Sequence, residues 1–196
     1  MNQNKKIDNN IKVIFNKIDY LLQYHGTILV AIDGNCCAGK STLASLIANT
    51  FYCNLFHMDH FFLPTELRTK ERFLEIGGNI DYLRFRNEVI LGIKSKQPFI
   101  YRVYCCKKKG FTQTISVTPK KLNIIEGVYS MHPTLINDYN LKIFLHIDEQ
   151  EQSRRILNRN GETIYGKFKK EWIPMENQYF KEYKIMKKCD IKIFRE

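Results

Sequence analysis

Nine residues, Gly34-Asn35-Cys36-Cys37-Ala38-Gly39-Lys40-Ser41-Thr42, constrain this chain more than any other segment. They spell G-x-x-x-x-G-K-S-T directly after the apolar run Ile28-Leu29-Val30-Ala31-Ile32, and Leu43 to Asn49 continue with helical spacing. A strand, a glycine-rich turn and a helix in that order build a phosphate cradle. The glycines let successive N–H groups turn inward, and the positive end of the helix faces the same anion. Lys40 is placed to reach the β- and γ-phosphates. Ser41 offers a hydroxyl to Mg²⁺, a cation that takes oxygen ligands and shares phosphate oxygens. Gly34 through Thr42 therefore predict a nucleoside triphosphate site, with ATP and Mg²⁺ as cofactors and the thiols of Cys36 and Cys37 near the bound phosphate.

The chain has 196 residues, enough for one well-buried core, so residues 1–196 read as a single domain. Its six cysteines include the adjacent pairs Cys36-Cys37 and Cys105-Cys106 but no C-x-x-C, and the first residues lack an apolar signal core. Both features point to a reduced, cytoplasmic protein. No stretch approaches the roughly 20 apolar residues of a membrane helix. The net charge of +11 comes from lysines scattered among asparagines and isoleucines, which argues against a dedicated nucleic-acid surface. The tight run Lys107-Lys108-Lys109 before Gly110 reads as a solvated hairpin tip. Homo-oligomerisation stays open.

Ile7, Ile11, Ile14, Phe15, Ile18, Leu21 and Leu22 recur at helical spacing, so residues 1–26 predict an amphipathic helix stopped by His25-Gly26. Asn54 to Asp59 read as a short strand ending in a carboxylate, followed by an irregular stretch through Gly77-Gly78. Asp81 to Ile93 predict a helix with Leu83, Val89, Ile90 and Ile93 inward and Asn79 or Asp81 as N-cap. Phe99–Tyr104 and Phe111–Val117 form an antiparallel hairpin within 98–118. Leu122–Val128, Leu141–Ile147 and Cys189–Phe194 are further strands, and Glu149–Asn158 and Met175–Met186 are helices. This alternation predicts an α/β fold of three layers around a mainly parallel sheet, with the ligand outside the carboxyl ends of the strands. Gly34, Asp59 and Glu126 should then meet along one edge. On a strand, His57 and His60 would point to opposite faces, which argues against a zinc site.

A phosphate cradle alone does not separate switches, motors and kinases. The base-reading N-K-x-D of GTPases is missing, since Asn16-Lys17-Ile18-Asp19 lies in the first helix. His57-Met58-Asp59-His60-Phe61-Phe62 resembles the D-x-F-[YF] signature of the uridine kinase and phosphoribulokinase superfamily. Similar agreement is found at Asp33-Gly34, Gly77-Gly78-Asn79-Ile80-Asp81-Tyr82, Ile125-Glu126-Gly127-Val128-Tyr129-Ser130, Arg154 to Gly161 and Cys189-Asp190-Ile191. The resemblance runs from about Ile28 to Phe194 and is strongest to bacterial uridine-kinase-like proteins. It implies that Asp59 accepts the proton of the attacking hydroxyl and that Glu126 sits near Mg²⁺ or its waters. Asp81 would contact the ribose hydroxyls, a plain N-cap being the alternative, and Tyr82 and Tyr104 would contact substrate. The chain departs from uridine kinases at Tyr104-Cys105-Cys106, where they carry Tyr-Asp and then His, and at Asn158-Arg159-Asn160-Gly161, where they carry E-R-G-R.

Arg155 and Arg159 are spaced i, i+4 and so share a helix face. Within a lid region at 154–172 they would close over ATP, the segment Gly161 to Phe168 moving to exclude water. The expected activity is transfer of the γ-phosphoryl group to a hydroxyl of a small metabolite, a pyrimidine nucleoside first. Other small alcohols (sugars, sugar phosphates, pantothenate-like compounds) are alternatives, as is a nucleotide-dependent nucleic-acid-associated protein.

Overall fold

The computed structural model describes residues 3–195, with side chains from residue 9 onward except at position 73. The side chain of Ile7 and all of Met1, Asn2 and Glu196 lie outside the described residues.

Strand β1 (Ile28–Gly34) is buried along its whole length, and its alternation builds both halves of the core. Ile28, Val30 and Ile32 point to one face, where helices α1 (Gln3–Tyr24) and α2 (Lys40–Thr50) supply Ile14, Ile18, Leu43 and Ile47. Leu29 and Ala31 point to the other face, toward Phe56, Phe85 and Tyr179. Side chains that alternate across a sheet covered on both sides give three layers. Each buried aliphatic of α1 contributes roughly 1.5–3 kcal/mol, and that burial holds the helix on the sheet.

Strands β2 (Cys53–His57), β5 (Leu122–Glu126), β6 (Leu141–Ile147) and β7 (Ile191–Arg195) join β1 in a five-stranded sheet ordered β2-β5-β1-β6-β7. Every pairing is parallel. Strands β3 (Phe99–Cys105) and β4 (Gly110–Val117) form the separate antiparallel hairpin, which lays Tyr101 and Val117 onto the second core face. Helices α6 (Glu149–Lys167) and α7 (Ile173–Glu182) bring the chain from β6 to β7, joined by the π-type turn Phe168–Trp172.

Four expectations need correction. Strand β2 stops at His57, and Asp59 lies in the 3₁₀ turn Met58–Phe61 beyond it. His57 and His60 therefore do not face apart; their rings meet edge to face with centroids 5.2 Å apart. Leu83 is 54% exposed. The segment opens with α4 (Tyr82–Phe85), widens into a π-type stretch at Arg86–Ile90 and closes with α5 (Leu91–Ser95), so 3.6-residue spacing misplaces Leu83, while Val89, Ile90 and Ile93 are buried as expected. Helix α6 runs through to Lys167, bent at its one non-helical residue, Gly161. The stretch before Gly77 also contains the short helix α3 (Lys70–Leu74).

Gly34 closes β1 at φ +137°, and a Cβ there would stand 2.0 Å from the carbonyl oxygen of Leu145 on β6. Gly34→Ala should therefore part β1 from β6 and cost about 3 kcal/mol or more, read as a fall in the urea midpoint. Gly166→Ala, in helix with nothing within 4 Å, should gain about 0.5 kcal/mol. Similar midpoints for the two variants would contradict this account.

Candidate functional site

The loop from β1 to α2 wraps an uncapped helix end. Gly39 occupies the N-cap and has no side chain to bond the first amides of α2, which lack intrahelical acceptors. Their positive end is left for an anion. Lys40 is buried, and its Nζ donates to the carbonyl oxygens of Gly34 at 2.7 Å and Asn35 at 2.8 Å, spanning the loop.

The other loop residues divide by direction. Asn35 turns back to β6, where its Oδ1 accepts from the Ile147 amide at 3.4 Å and lies 3.2 Å from His146 Nδ1. Cys36 is gripped by the two helices of the lid side: its amide donates to Glu176 Oε2 at 2.9 Å, and Gln152 Nε2 donates to its carbonyl at 3.2 Å. Its thiol packs beside Ile156 and Phe168. Cys37 adopts φ +59° and is half-buried. The hydrogen bond from the Cys36 thiol lowers the Cys37 thiol, and Arg159, Lys40 and Arg155 add to the effect. That bond and burial raise the Cys36 thiol.

Across the sheet edge, the parallel register sets Glu126 level with Ile32 on β1 and His57 on β2. Glu126 is buried; its Oε2 accepts from Ser41 Oγ at 3.2 Å and its Oε1 lies 2.5 Å from His57 Nδ1. That hydrogen bond raises His57 above the ordinary histidine range. Gly127 follows at φ +135°, and a Cβ on it would come within 2.7 Å of Met58 Cβ. The missing side chain lets the Asp59 turn settle beside Glu126. Asp59 is accessible to solvent yet densely surrounded by protein. That crowding and the charge of Glu126 raise its carboxyl, while Lys40, His57 and Arg159 pull it down. No hydrogen bond is among these influences. Asp59 does not cap its turn, whose N-cap is His57 without a side-chain bond.

The two arginines share one helical stretch but differ in engagement. Arg155 Nε donates to Glu151 at 2.6 Å, and its Nη1 donates to the Cys37 carbonyl at 3.3 Å. Arg159 is exposed, bonds the Asn160 side chain at 2.9 Å, and is near enough to act electrostatically on both Cys37 and Asp59.

The residues expected to touch an acceptor are partly committed elsewhere. Asp81 is the N-cap of α4: its Oδ1 accepts from the Arg84 amide at 3.0 Å. Tyr82 stacks on His132 with centroids 3.9 Å apart, and its hydroxyl accepts from Arg72 at 2.6 Å. Tyr104 is buried and its hydroxyl accepts from the Thr65 amide at 3.1 Å, so it steadies the neighbouring loop. Next to them lies a cavity of about 470 Å³, lined by Leu67, Asp81, Arg84, Glu88, Arg102 and Phe111 among others.

Sequence reasoning passed over several residues that build this site. Arg84 is buried; it ties the hairpin to the Asp59 turn by donating to the Arg102 carbonyl at 2.7 Å and the His60 carbonyl at 3.1 Å. Asp33 is fully buried and accepts from the amides of Gly34 and Met131 and from the Tyr179 hydroxyl, which pins the start of the cradle to α7. Its place directly before the motif was a usable signal. Glu176 and His57 carried none, since both earn their contacts across the chain.

No known protein family and no curated protein matches the chain in sequence. Solved structures do match in fold. One, described as a possible uridine kinase from Bacillus stearothermophilus, aligns with TM-score 0.65 at 17% identity over 92% of this chain and 98% of that one. Another is YFH7 from Saccharomyces cerevisiae, whose description proposes a P-loop containing kinase with a circular permutation. It aligns with TM-score 0.56 at 12% identity over 100% of both chains. The chain thus has the α/β fold of P-loop kinases, and identities this low speak to fold alone.

Two outcomes test this geometry. Burial pushes the Glu176 carboxyl up to about 7 from an ordinary 4.5. Below about pH 4.5 it is protonated in folded and unfolded chains alike and costs nothing; as pH rises to about 7 the unfolded chain alone ionises, and stability falls. The penalty above that range is roughly 3 kcal/mol. Glu176→Gln keeps an acceptor for the Cys36 amide, so its thermal midpoint should gain on wild type between about pH 5 and pH 8; a constant offset would refute the strain. Mild alkylation near pH 7 should modify Cys37 well before Cys36, and mass spectrometry showing equal rates would reverse the assignment.

Proposed function

We propose that this protein transfers the γ-phosphoryl group of ATP to a hydroxyl of a small metabolite, pyrimidine nucleosides being the first candidates. The observation that carries the reading is Asp59: a raised carboxyl with no hydrogen bond among its influences, within the field of Lys40, Glu126 and Arg159 at the mouth of a phosphate cradle. A structural aspartate would be spent on backbone amides. This one is kept available, and raising its carboxyl brings it nearer the working pH of a general base.

Ser41 Oγ and the Glu126 carboxylate form an all-oxygen donor pair 3.2 Å apart, a set suited to a hard divalent cation. Magnesium bound there supplies charge neutralisation of the phosphate oxygens. The loop amides and Lys40 hold the triphosphate, Lys40 exchanging its carbonyl partners for phosphate oxygens. Asp59 takes the proton of the acceptor hydroxyl as its oxygen forms a bond to the γ-phosphorus and the bond from that phosphorus to the β-bridging oxygen breaks, releasing ADP. A cation about 4 Å from a phosphate oxygen contributes on the order of 4 kcal/mol at an effective dielectric near 20, so Lys40 and Arg159 are the largest protein terms. The adjacent cavity is the place for the acceptor, and kinases of other small alcohols would use the same machinery with a different cavity.

The test scores ADP production with Mg-ATP over nucleosides, pentoses, phosphopentoses and pantothenate. One class should stimulate turnover, and Asp59→Asn should lower it about 10²- to 10⁴-fold with Mg-ADP affinity retained. No stimulation by any alcohol, or full activity in the variant, would overturn the reading.

A further inference from the structure

Arg195 ends the edge strand β7 and returns to the cradle from the side opposite the Asp59 turn. Its guanidinium lies so tightly over Gly39 that a Cβ there would meet Nη1 at 2.6 Å and Cζ at 3.1 Å. Among the described residues, its Nε is buried without a hydrogen-bond partner. Desolvation and the nearby charge of Arg155 both disfavour its cationic form. Arg155 is paired with Glu151, whereas Arg195 stands beside a loop whose amides already carry positive charge and its Nε has no partner, which is costly until a ligand answers it.

The sheet also gives the cradle two ends. Strand β2, which runs into the Asp59 turn, and β7, which ends in Arg195, are the two outer strands of the sheet, with the cradle strand β1 between them. The Asp59 side is the end where the phosphoryl group would leave, and Arg195 stands at the far end, where the ribose and base of a bound nucleotide would emerge. A guanidinium is planar and weakly hydrated, and it both stacks on aromatic faces and donates to oxygens, so it suits that end better than an ammonium would.

Building on the nucleotide reading above, we propose that Arg195 is a nucleotide-binding residue that holds the ribose-and-base end of the triphosphate over Gly39. Arg155 flanks the same end. Contacts made there are equal in the ground state and the transition state, so they act on nucleotide affinity and leave the chemical step alone.

Calorimetric binding of Mg-ADP and of Mg-pyrophosphate to wild type, Arg195→Gln and Arg195→Lys is the test, with thermal midpoints recorded for all three. Arg195→Gln should weaken Mg-ADP about tenfold and leave Mg-pyrophosphate within twofold. Arg195→Lys, which keeps the charge and the stem but loses the plane, should fall between wild type and Arg195→Gln. In turnover, KM for ATP should rise with kcat nearly constant. Equal weakening of both ligands, or of neither, overturns the assignment; if Arg195→Gln does not fold, the lysine variant decides by the same ratio. Absence of Mg-ADP binding by the wild type would instead overturn the nucleotide reading itself, and the Arg195 assignment with it.

Discussion

Parallel strand register is the constraint on which the rest of this structure depends. Because β5 pairs with β1 on one side and β2 on the other, Ile32, Glu126 and His57 stand at one level. The chain leaves all three strands at the same edge. Glu126 can then reach Ser41 on one side and His57 on the other without leaving its strand. A slip of one residue in β5 would turn Glu126 to the opposite face and place Ile125 where the oxygens meet. Burial enforces the register, since every residue of β5 is buried and one face must match α1 and α2 while the other matches the hairpin side.

Around that edge the molecule keeps polar groups in two kinds of tension. Some are answered within the protein: Asp33 accepts three hydrogen bonds, and Arg84 spans the hairpin and the Asp59 turn through carbonyls, with its Nε held 3.4 Å from Asp81 without a hydrogen bond. Others are held against their preference. Glu176 is buried with its carboxyl raised, Asp59 is raised with no hydrogen bond, and Arg195 is desolvated beside Arg155. The answered groups set the shape of the loop. Glu176 keeps one partner, the Cys36 amide, while Asp59 and Arg195 stand at the loop with their charged forms disfavoured.

The helices α6 and α7 connect to the cradle more directly than a mobile lid would suggest. Gln152 and Glu176 take the carbonyl and amide of Cys36, so one residue of the loop is fixed by both helices. Arg155 adds a third contact through the Cys37 carbonyl. Arg159, one turn further and exposed, is free of that scaffold and remains available to the cleft.

Local signals made the cradle, the amphipathic first helix, the strands and the hairpin readable, because periodicity and glycine chemistry act within a few residues of one another. The α/β class followed from their alternation. Where the reading failed, a distant contact had overruled a local preference. Leu83 is exposed, although Val89, Ile90 and Ile93 face inward as their spacing predicts, because a π-type stretch interrupts the helix between them. Asp81, by contrast, caps its own helix, one of the two readings its place in the sequence offered, and the Tyr104 hydroxyl accepts from the Thr65 amide. Glu176 and Arg195 lie 140 and 156 positions from Cys36 and Gly39, and no spacing rule spans that distance. By itself the sequence determined that a glycine-rich loop ending in Gly39-Lys40-Ser41-Thr42 follows a buried strand and that an acidic residue ends a second one. Tertiary structure alone decided which carboxylate stays unengaged, which thiol turns inward and which arginine comes to rest on the loop, because each is fixed by packing between elements far apart in the chain.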